Sequence, residues 1–270
     1  MESITSPNNP RFKQALSLHT ARGRQKHQLI IVFGLREFSR AVQAGVSFVE
    51  VFVDEEQLTP EKKLNLERLL AQQSGTAETR SIVLSGPLFA KLAYGDRNVE
   101  VIAIAERPAT TLARLRPGKH ALYVILESIE KPGNLGAIAR SADGSGAEGL
   151  LIADALSDIF HPNAIRSSVA TVFSVPLAVG SSSEIRTWLL AHDFRILVAT
   201  PEAKKTLYGT DLTGRVAIVF GNEAKGLSEL WRTGDGAGVK LPMLGIGDSL
   251  NVSVTASLMM YEMRRQRNQS

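Results

Sequence analysis

Ser249 and Asn251 stand where a loop containing Pro and Gly meets a long terminal helix, in KLPMLGIGDSLNVSVTASLMMYEMRRQR at 240–267. A helix start leaves backbone N–H groups without intrahelical partners, and short polar side chains beside them can orient a ligand. Two earlier segments run from a strand through a polar or Gly-rich turn into a helix. In ESIEKPGNLGAIARSA, 127–142, Pro132 and Gly133 shape the turn, Asn134 is placed to cap the helix, and Gly136 admits a second backbone. Arg140, six residues beyond Asn134, either reaches the mouth of the same cleft or is a plain surface cation. In IVFGNEAKGLS, 218–228, Gly221 leaves room for a flat ligand, and Glu223 either faces that ligand or caps a helix. Three such loops at one sheet edge would enclose an adenine, a ribose and a charged reacting group.

Apolar periodicity predicts the elements that position these loops. In the first hundred residues it gives helices over 12–18, 36–44, 60–71 and 87–92, and strands over 29–33, 48–53, 81–84 and 101–105. These form a small α/β domain, 1–106. Two prolines and a glycine at 107–120 mark a linker with one helical turn. The second domain, 121–270, has strands predicted at 122–126, 150–153, 173–175, 195–199, 216–220 and 239–241. Helices fall at 135–143 and 184–191, and a last one ends the chain. Strands separated by helices imply an α/β fold with a mostly parallel sheet covered on both faces.

The composition removes several function classes. With no cysteine there is no disulfide, thiolate zinc site or cysteine nucleophile, and the five histidines never fall at metal-ligand spacing, so no metal is expected. A hydrophobic share of 44% supports a sizeable core, and no apolar run reaches the ~18 residues of a membrane span. The opening MESITSPNNP lacks the regions of a signal peptide, so a cytoplasmic location is expected. Of the net charge of +4, residues 1–40 hold seven Lys or Arg against two Glu. This basic head, with Arg22, Arg24 and Lys26 at its centre, is either an RNA-facing surface or a solvated helix face.

Gly144, Gly146 and Gly149 spell G-x-G-x-x-G, but a dinucleotide fingerprint needs a strand before it and a helix after it. These glycines end a helix and lead into a strand, so they are read as a C-cap and turn. A nicotinamide-dependent oxidoreductase would rest on this pattern alone.

Taken in order, N-x-G-A-I-x-R at 134–140, G-N-E-A-K-G-L-S at 221–228 and L-P-M-(x)6-S-L-N-V-S at 241–253 resemble the SpoU/TrmH family of RNA 2′-O-ribose methyltransferases. The resemblance covers 121–267, and ITSPNNPRFKQALSL near the start is similar, more loosely, to the opening of the family's small substrate-binding domain. It implies a deep trefoil knot in the C-terminal domain and a homodimer through that domain. It also implies S-adenosyl-L-methionine bound against Gly221, Leu241, Met243, Ile246 and Leu250, with Asn134, Arg140, Glu223, Ser249 and Asn251 at the catalytic positions.

In this family the arginine matching Arg140 is given a part in activating the ribose hydroxyl. A neutral guanidinium is costly, because arginine titrates above ~12, so a phosphate or ribose clamp is the preferred role. AIRSSVATVFSVP is similar to a family segment that makes Arg166 a candidate RNA contact, although Ala170 or a neighbour stands where glycine is usual. Lys131 stands where many members have aspartate, and Phe33 where a glutamate is common. The N-terminal extension favours structured ribosomal RNA as substrate, recognised by shape and phosphates. Transfer RNA, or an RNA-binding protein that has lost activity, are the alternatives.

Overall fold

The computed structural model describes residues 2–72, 79–93, 99–233 and 236–267. They form two compact units, Met1–Pro108 with Phe160–Phe173, and Ala109–Ile159 with Ser174–Ser270, so the chain passes between units three times. No helix among the described residues is long and apolar enough to cross a membrane.

The first unit contains β1 (Glu2–Ile4), α1 (Pro10–Ser17), α2 (Ala21–His27), β2 (Leu29–Phe33), α3 (Leu35–Gln43), β3 (Phe48–Val53), α4 (Pro60–Ala71), β4 (Arg80–Leu84), α5 (Gly86–Leu92) and β5 (Val101–Glu106). Its five strands lie in the order β1-β4-β3-β5-β2, parallel across β1, β4 and β3 and antiparallel across β3, β5 and β2. Strand alternation sends Ile31, Phe33, Ile82, Leu84, Ile102 and Ile104 to one face, where Phe12, Leu18, Leu88 and Phe89 complete a buried core. Each such side chain contributes about 1.5–3 kcal/mol through burial.

Two findings here depart from the sequence reading. Residues 21–27 are helical although ARGRQKH has no apolar stripe, because Thr20 caps the helix through Gly23 N–H and Gln28 closes it in the left-handed region. The side this helix turns inward is Arg24, which is fully buried and donates from Nη1 to the carbonyls of Leu18 (2.9 Å) and His19 (3.2 Å). Arg24 therefore ties down the end of α1 and is no RNA contact. Arg22 and Lys26 are exposed.

The second departure is at 160–173. The expected strand at 173–175 is absent: Thr171–Phe173 is a 3-10 turn. Val172 is buried and Phe173 stacks on Phe160 at 5.9 Å, all three in the first unit, whereas Val175 is buried in the second. Ahead of the turn, a short helix over Pro162–Ser167 packs on β2. Val169 and Ala170 both have positive φ, +53° and +65°, which explains why glycine suits this place and marks a strained backbone.

The second unit holds β6 (Leu122–Glu127), α6 (Pro132–Ser145), β7 (Gly149–Ala153), β8 (Leu177–Gly180), α8 (Ser182–Ala191), β9 (Arg195–Ala199), β10 (Lys205–Thr206), β11 (Val216–Phe220), α9 (Glu229–Arg232), β12 (Ala237–Lys240) and α10 (Val252–Arg267), while α7, the short helix at Pro162–Ser167, belongs to the first unit. Its seven strands are parallel throughout, in the order β10-β12-β9-β11-β6-β7-β8. Tyr123, Ile125, Val198 and Val219 pack against Ile185, Leu189 and Trp231 in one buried cluster. In the other helix layer α6 and α10 lie side by side, with Ser141 Oγ 2.7 Å from Ser257 Oγ, and Met259, Met260 and Met263 are buried.

The glycine pattern at 144–149 sits as expected. Gly146 caps α6 at φ +71°, and a Cβ on Gly149 would lie 2.5 Å from the Tyr123 ring.

Candidate active site

Because all seven strands run the same way, their C-terminal ends share one edge, where open α/β sheets bind ligands. The loops after β9, β11 and β12 rise from that edge and enclose a cleft of about 1180 Å³, with Lys131 at its margin. The chain steps outward through β6, β7 and β8 and then crosses to β9 on the far side of β11, so the cleft stands near a topological switch point.

The loop after β11 is closed on itself. Asn222 and Gly226 exchange backbone hydrogen bonds at 3.1 and 2.9 Å, and Gly226 takes φ +68°. A Cβ on Gly221 would meet Gly226 C at 2.5 Å, so only glycine lets the turn shut. Asn222, buried, holds the loop from inside. Its Oδ1 accepts from Ala224 N and Lys225 N at 2.9 Å, and its Nδ2 donates to Ser128 O at 2.8 Å and Glu130 Oε1 at 3.1 Å. Every polar atom of the amide is thereby used.

The closed loop presents Glu223 to Asn134. Asn134 Nδ2 donates to Glu223 Oε1 at 2.6 Å, and Asn134 Oδ1 accepts from Asn251 Nδ2 at 3.4 Å. Asn251 Oδ1 in turn accepts from Ser253 N (2.8 Å) and Ser253 Oγ (2.6 Å), which is an N-cap on α10. One residue from each of the three loops singled out in the sequence is thus joined in a single chain of hydrogen bonds.

Beneath them, the buried carboxylate of Glu127 accepts from Ser182 Oγ and Ser228 N, both at 2.8 Å, and Trp231 Nε1 reaches Ser182 Oγ at 3.3 Å. At the far wall the Thr200 hydroxyl, and then the backbone of Glu202, hold the Glu202 carboxyl below the usual carboxylate range.

Gly221, Glu223, Leu241, Met243, Ser249, Leu250 and Asn251 all line the cleft. Ile246 does not: it is fully exposed on the loop between β12 and α10. Arg140 is exposed on α6, outside the cleft lining. Arg22, Lys26 and Arg166 belong to the first unit. Sequence reasoning passed over Glu127 and Asn222. Each is a polar residue ending or following an apolar strand, the place where buried hydrogen bonds fix a loop.

The cleft fits S-adenosylmethionine on its own chemistry. Leu241, Met243 and Leu250 are partly exposed apolar side chains in the cleft lining, and Gly221 lines it without a side chain. Comparison with known proteins agrees. The model of the SpoU rRNA Methylase family matches residues 121–261, and that of the MRM3-like substrate binding domain matches 9–103. The chain belongs to the SpoU rRNA methylase family.

Its similarity to individual SpoU family members runs nearly end to end. It is 33% identical over 274 residues to a 23S rRNA (uridine(2479)-2′-O)-methyltransferase of Streptomyces viridochromogenes, covering 98% of this chain and 92% of that one. A solved RNA 2′-O ribose methyltransferase is 36% identical with a TM-score of 0.83, over 98% of this chain and 99% of the other. The structure of a SpoU methyltransferase from Streptomyces viridochromogenes in complex with AdoMet is 30% identical with a TM-score of 0.88, over 97% of this chain and all (100%) of that one.

Proposed function

We propose that this SpoU family chain is an S-adenosylmethionine-dependent 2′-O-ribose methyltransferase acting on structured ribosomal RNA. The observation that carries the reading is the hydrogen-bonded run Glu223–Asn134–Asn251 at the rim of a glycine-shaped cleft. The relatives support it, one solved with AdoMet and one acting on 23S rRNA.

S-adenosylmethionine, when bound, supplies a methyl group on a positively charged sulfur. The chain's own task is to hold a ribose 2′-hydroxyl in line with that methyl and to ease loss of a weakly acidic proton. Asn134, Ser249 and Asn251 orient the ribose, while Glu223 fixes the Asn134 amide so that its oxygen faces Asn251. Arg140 acts as a cationic clamp on the ribose or an adjoining phosphate and polarises the hydroxyl. Gly221, Leu241, Met243, Ile246 and Leu250 hold the cofactor, Ile246 after the loop between β12 and α10 folds inward.

Residues 1–106 serve as the RNA-recognition domain, 107–120 as linker and 121–270 as the catalytic domain, with 160–173 lent to the first unit. Arg22, Lys26 and Arg166 face RNA. The C-terminal domain is taken to be knotted, and the molecule to work in the cytoplasm as a homodimer. Val254, Leu258 and Tyr261, each about half exposed at helical spacing on α10, support a second copy seated there.

The test is methyl transfer from labelled S-adenosylmethionine to deproteinised ribosomal RNA and, separately, to transfer RNA. Label in large-subunit ribosomal RNA is expected. Label in transfer RNA alone would overturn the substrate, and label in neither would overturn the activity.

A further inference from the structure

The first unit has a cleft of its own, about 870 Å³, that no site residue above except Arg166 touches. One wall is the turn at Gly34, held at φ +94°, with the first turns of α3. The opposite wall is the start of α4 and the residues before β5, and Arg166 projects from the short helix at 162–167. Arg36, Arg40, Lys62 and Arg166 line it against two acids, Glu37 and Glu100.

Both acids are engaged. Glu37 is buried and accepts from Arg36 Nη2 at 3.0 Å, and Glu100 is paired with Lys62. Two positive charges therefore remain in excess. Arg40 anchors the strained segment by donating to Val169 O at 3.1 Å, which fixes the chain that carries Arg166. Arg36, Arg40 and Arg166 are exposed residues, as are Gln43 and Asn65 in the same lining.

Planar cations that match phosphate geometry, alternating with amides able to reach 2′-hydroxyls and base edges, suit an RNA strand. By contrast, the basic stretch at 22–26 has lost Arg24 to the core and offers two scattered cations.

We infer that this cleft is the principal seat of the first unit for a phosphodiester segment of the substrate RNA, completed by Arg166 from the second half of the sequence. The inference rests on the RNA methyltransferase reading above and locates its substrate recognition.

Two variants of the full chain carry equal changes in charge, Arg36→Gln/Arg166→Gln in the cleft and Arg22→Gln/Lys26→Gln in the head. Binding of deproteinised ribosomal RNA is measured over a salt series. The cleft pair is expected to lose about tenfold or more at low salt and to lower the slope of log K against log salt by about 1.5, the head pair much less. Equal losses, or a larger loss from the head pair, overturn the inference. Cross-linked peptides from the wild-type complex give a check that needs no variant: they are expected from 34–43 and 162–167, and cross-links confined to the rest of the first unit contradict it. Millimolar inorganic phosphate at matched ionic strength is expected not to displace the RNA, and displacement would mark a free-anion site instead. A wild-type chain that methylates RNA while its cleft variants bind normally refutes the cleft alone. A wild-type chain that binds no ribosomal RNA refutes the functional reading with it.

Discussion

Asn134 Nδ2 lies 2.6 Å from Glu223 Oε1, a side-chain contact between residues 89 positions apart in sequence. It sets the amide so that its oxygen must face Asn251, and it couples the turn after β6 to the turn after β11. Asn134→Ala removes the orienting amide and leaves Glu223 in solvent, so folding is little affected. The expected result is a fall in kcat of about 10²-fold from lost positioning, with Tm within about 2 °C of wild type. A loss of Tm matching the loss of activity would make the contact structural only.

Arg140 is exposed on α6 and lines neither cleft, so cofactor binding is expected not to depend on it. Arg140→Ala is expected to lower methyl transfer by about 10²-fold or more while S-adenosylmethionine affinity, read by calorimetry, stays within about twofold. Arg140→Lys keeps the charge without the planar fork and is expected to recover only part of the rate. Equal loss of transfer and of cofactor binding would contradict the clamp.

Gly221 is the tightest glycine of the loop after β11, the proposed cofactor loop. In Gly221→Ala the new methyl meets the Gly226 backbone at 2.5 Å, and the loop must open at a cost of about 1–3 kcal/mol. Calorimetry is expected to show cofactor affinity falling by more than RNA affinity does. Unchanged affinity for the cofactor would remove this turn from the binding site.

His19 gives the first unit a pH dependence. Burial lowers its pKa, Arg24 nearby lowers it further, and the hydrogen bond to Leu92 O opposes both. The folded value therefore lies below the ordinary one of about 6.5. The unfolded chain binds the proton first, so stability is full above about pH 6.5 and is lost as the pH falls towards the folded value, by at most about 1.4 kcal/mol per pH unit. Thermal melts from pH 7.5 to 5.5 are expected to show this decline, and His19→Gln to flatten it. A variant that declines as steeply as the wild type would assign the loss to other groups.

Much of the fold was legible because its strands are apolar runs bounded by turns. The strands at 29–33, 48–53, 195–199 and 216–220 fall where periodicity put them. The loop after β11 was legible because glycine marks a turn whose backbone needs it, as at Gly221. What escaped depends on tertiary contact. The segment 160–173 looks like part of the second domain in sequence, yet it belongs to the first unit, with Phe160 and Val172 buried. Arg24 is indistinguishable from Arg22 in sequence, yet one caps a helix from inside and the other meets solvent. Glu127, at the end of an apolar strand, has no local signal for the serines that satisfy it.

The central claim is that the methyl group goes to a ribose oxygen, and alkali tests it most directly. A 2′-O-methyl group removes the nucleophile that cleaves the neighbouring phosphodiester bond, so alkaline hydrolysis of ribosomal RNA labelled by this chain should release the label in dinucleotides. Label released in mononucleotides would place the methyl on a base and contradict the account.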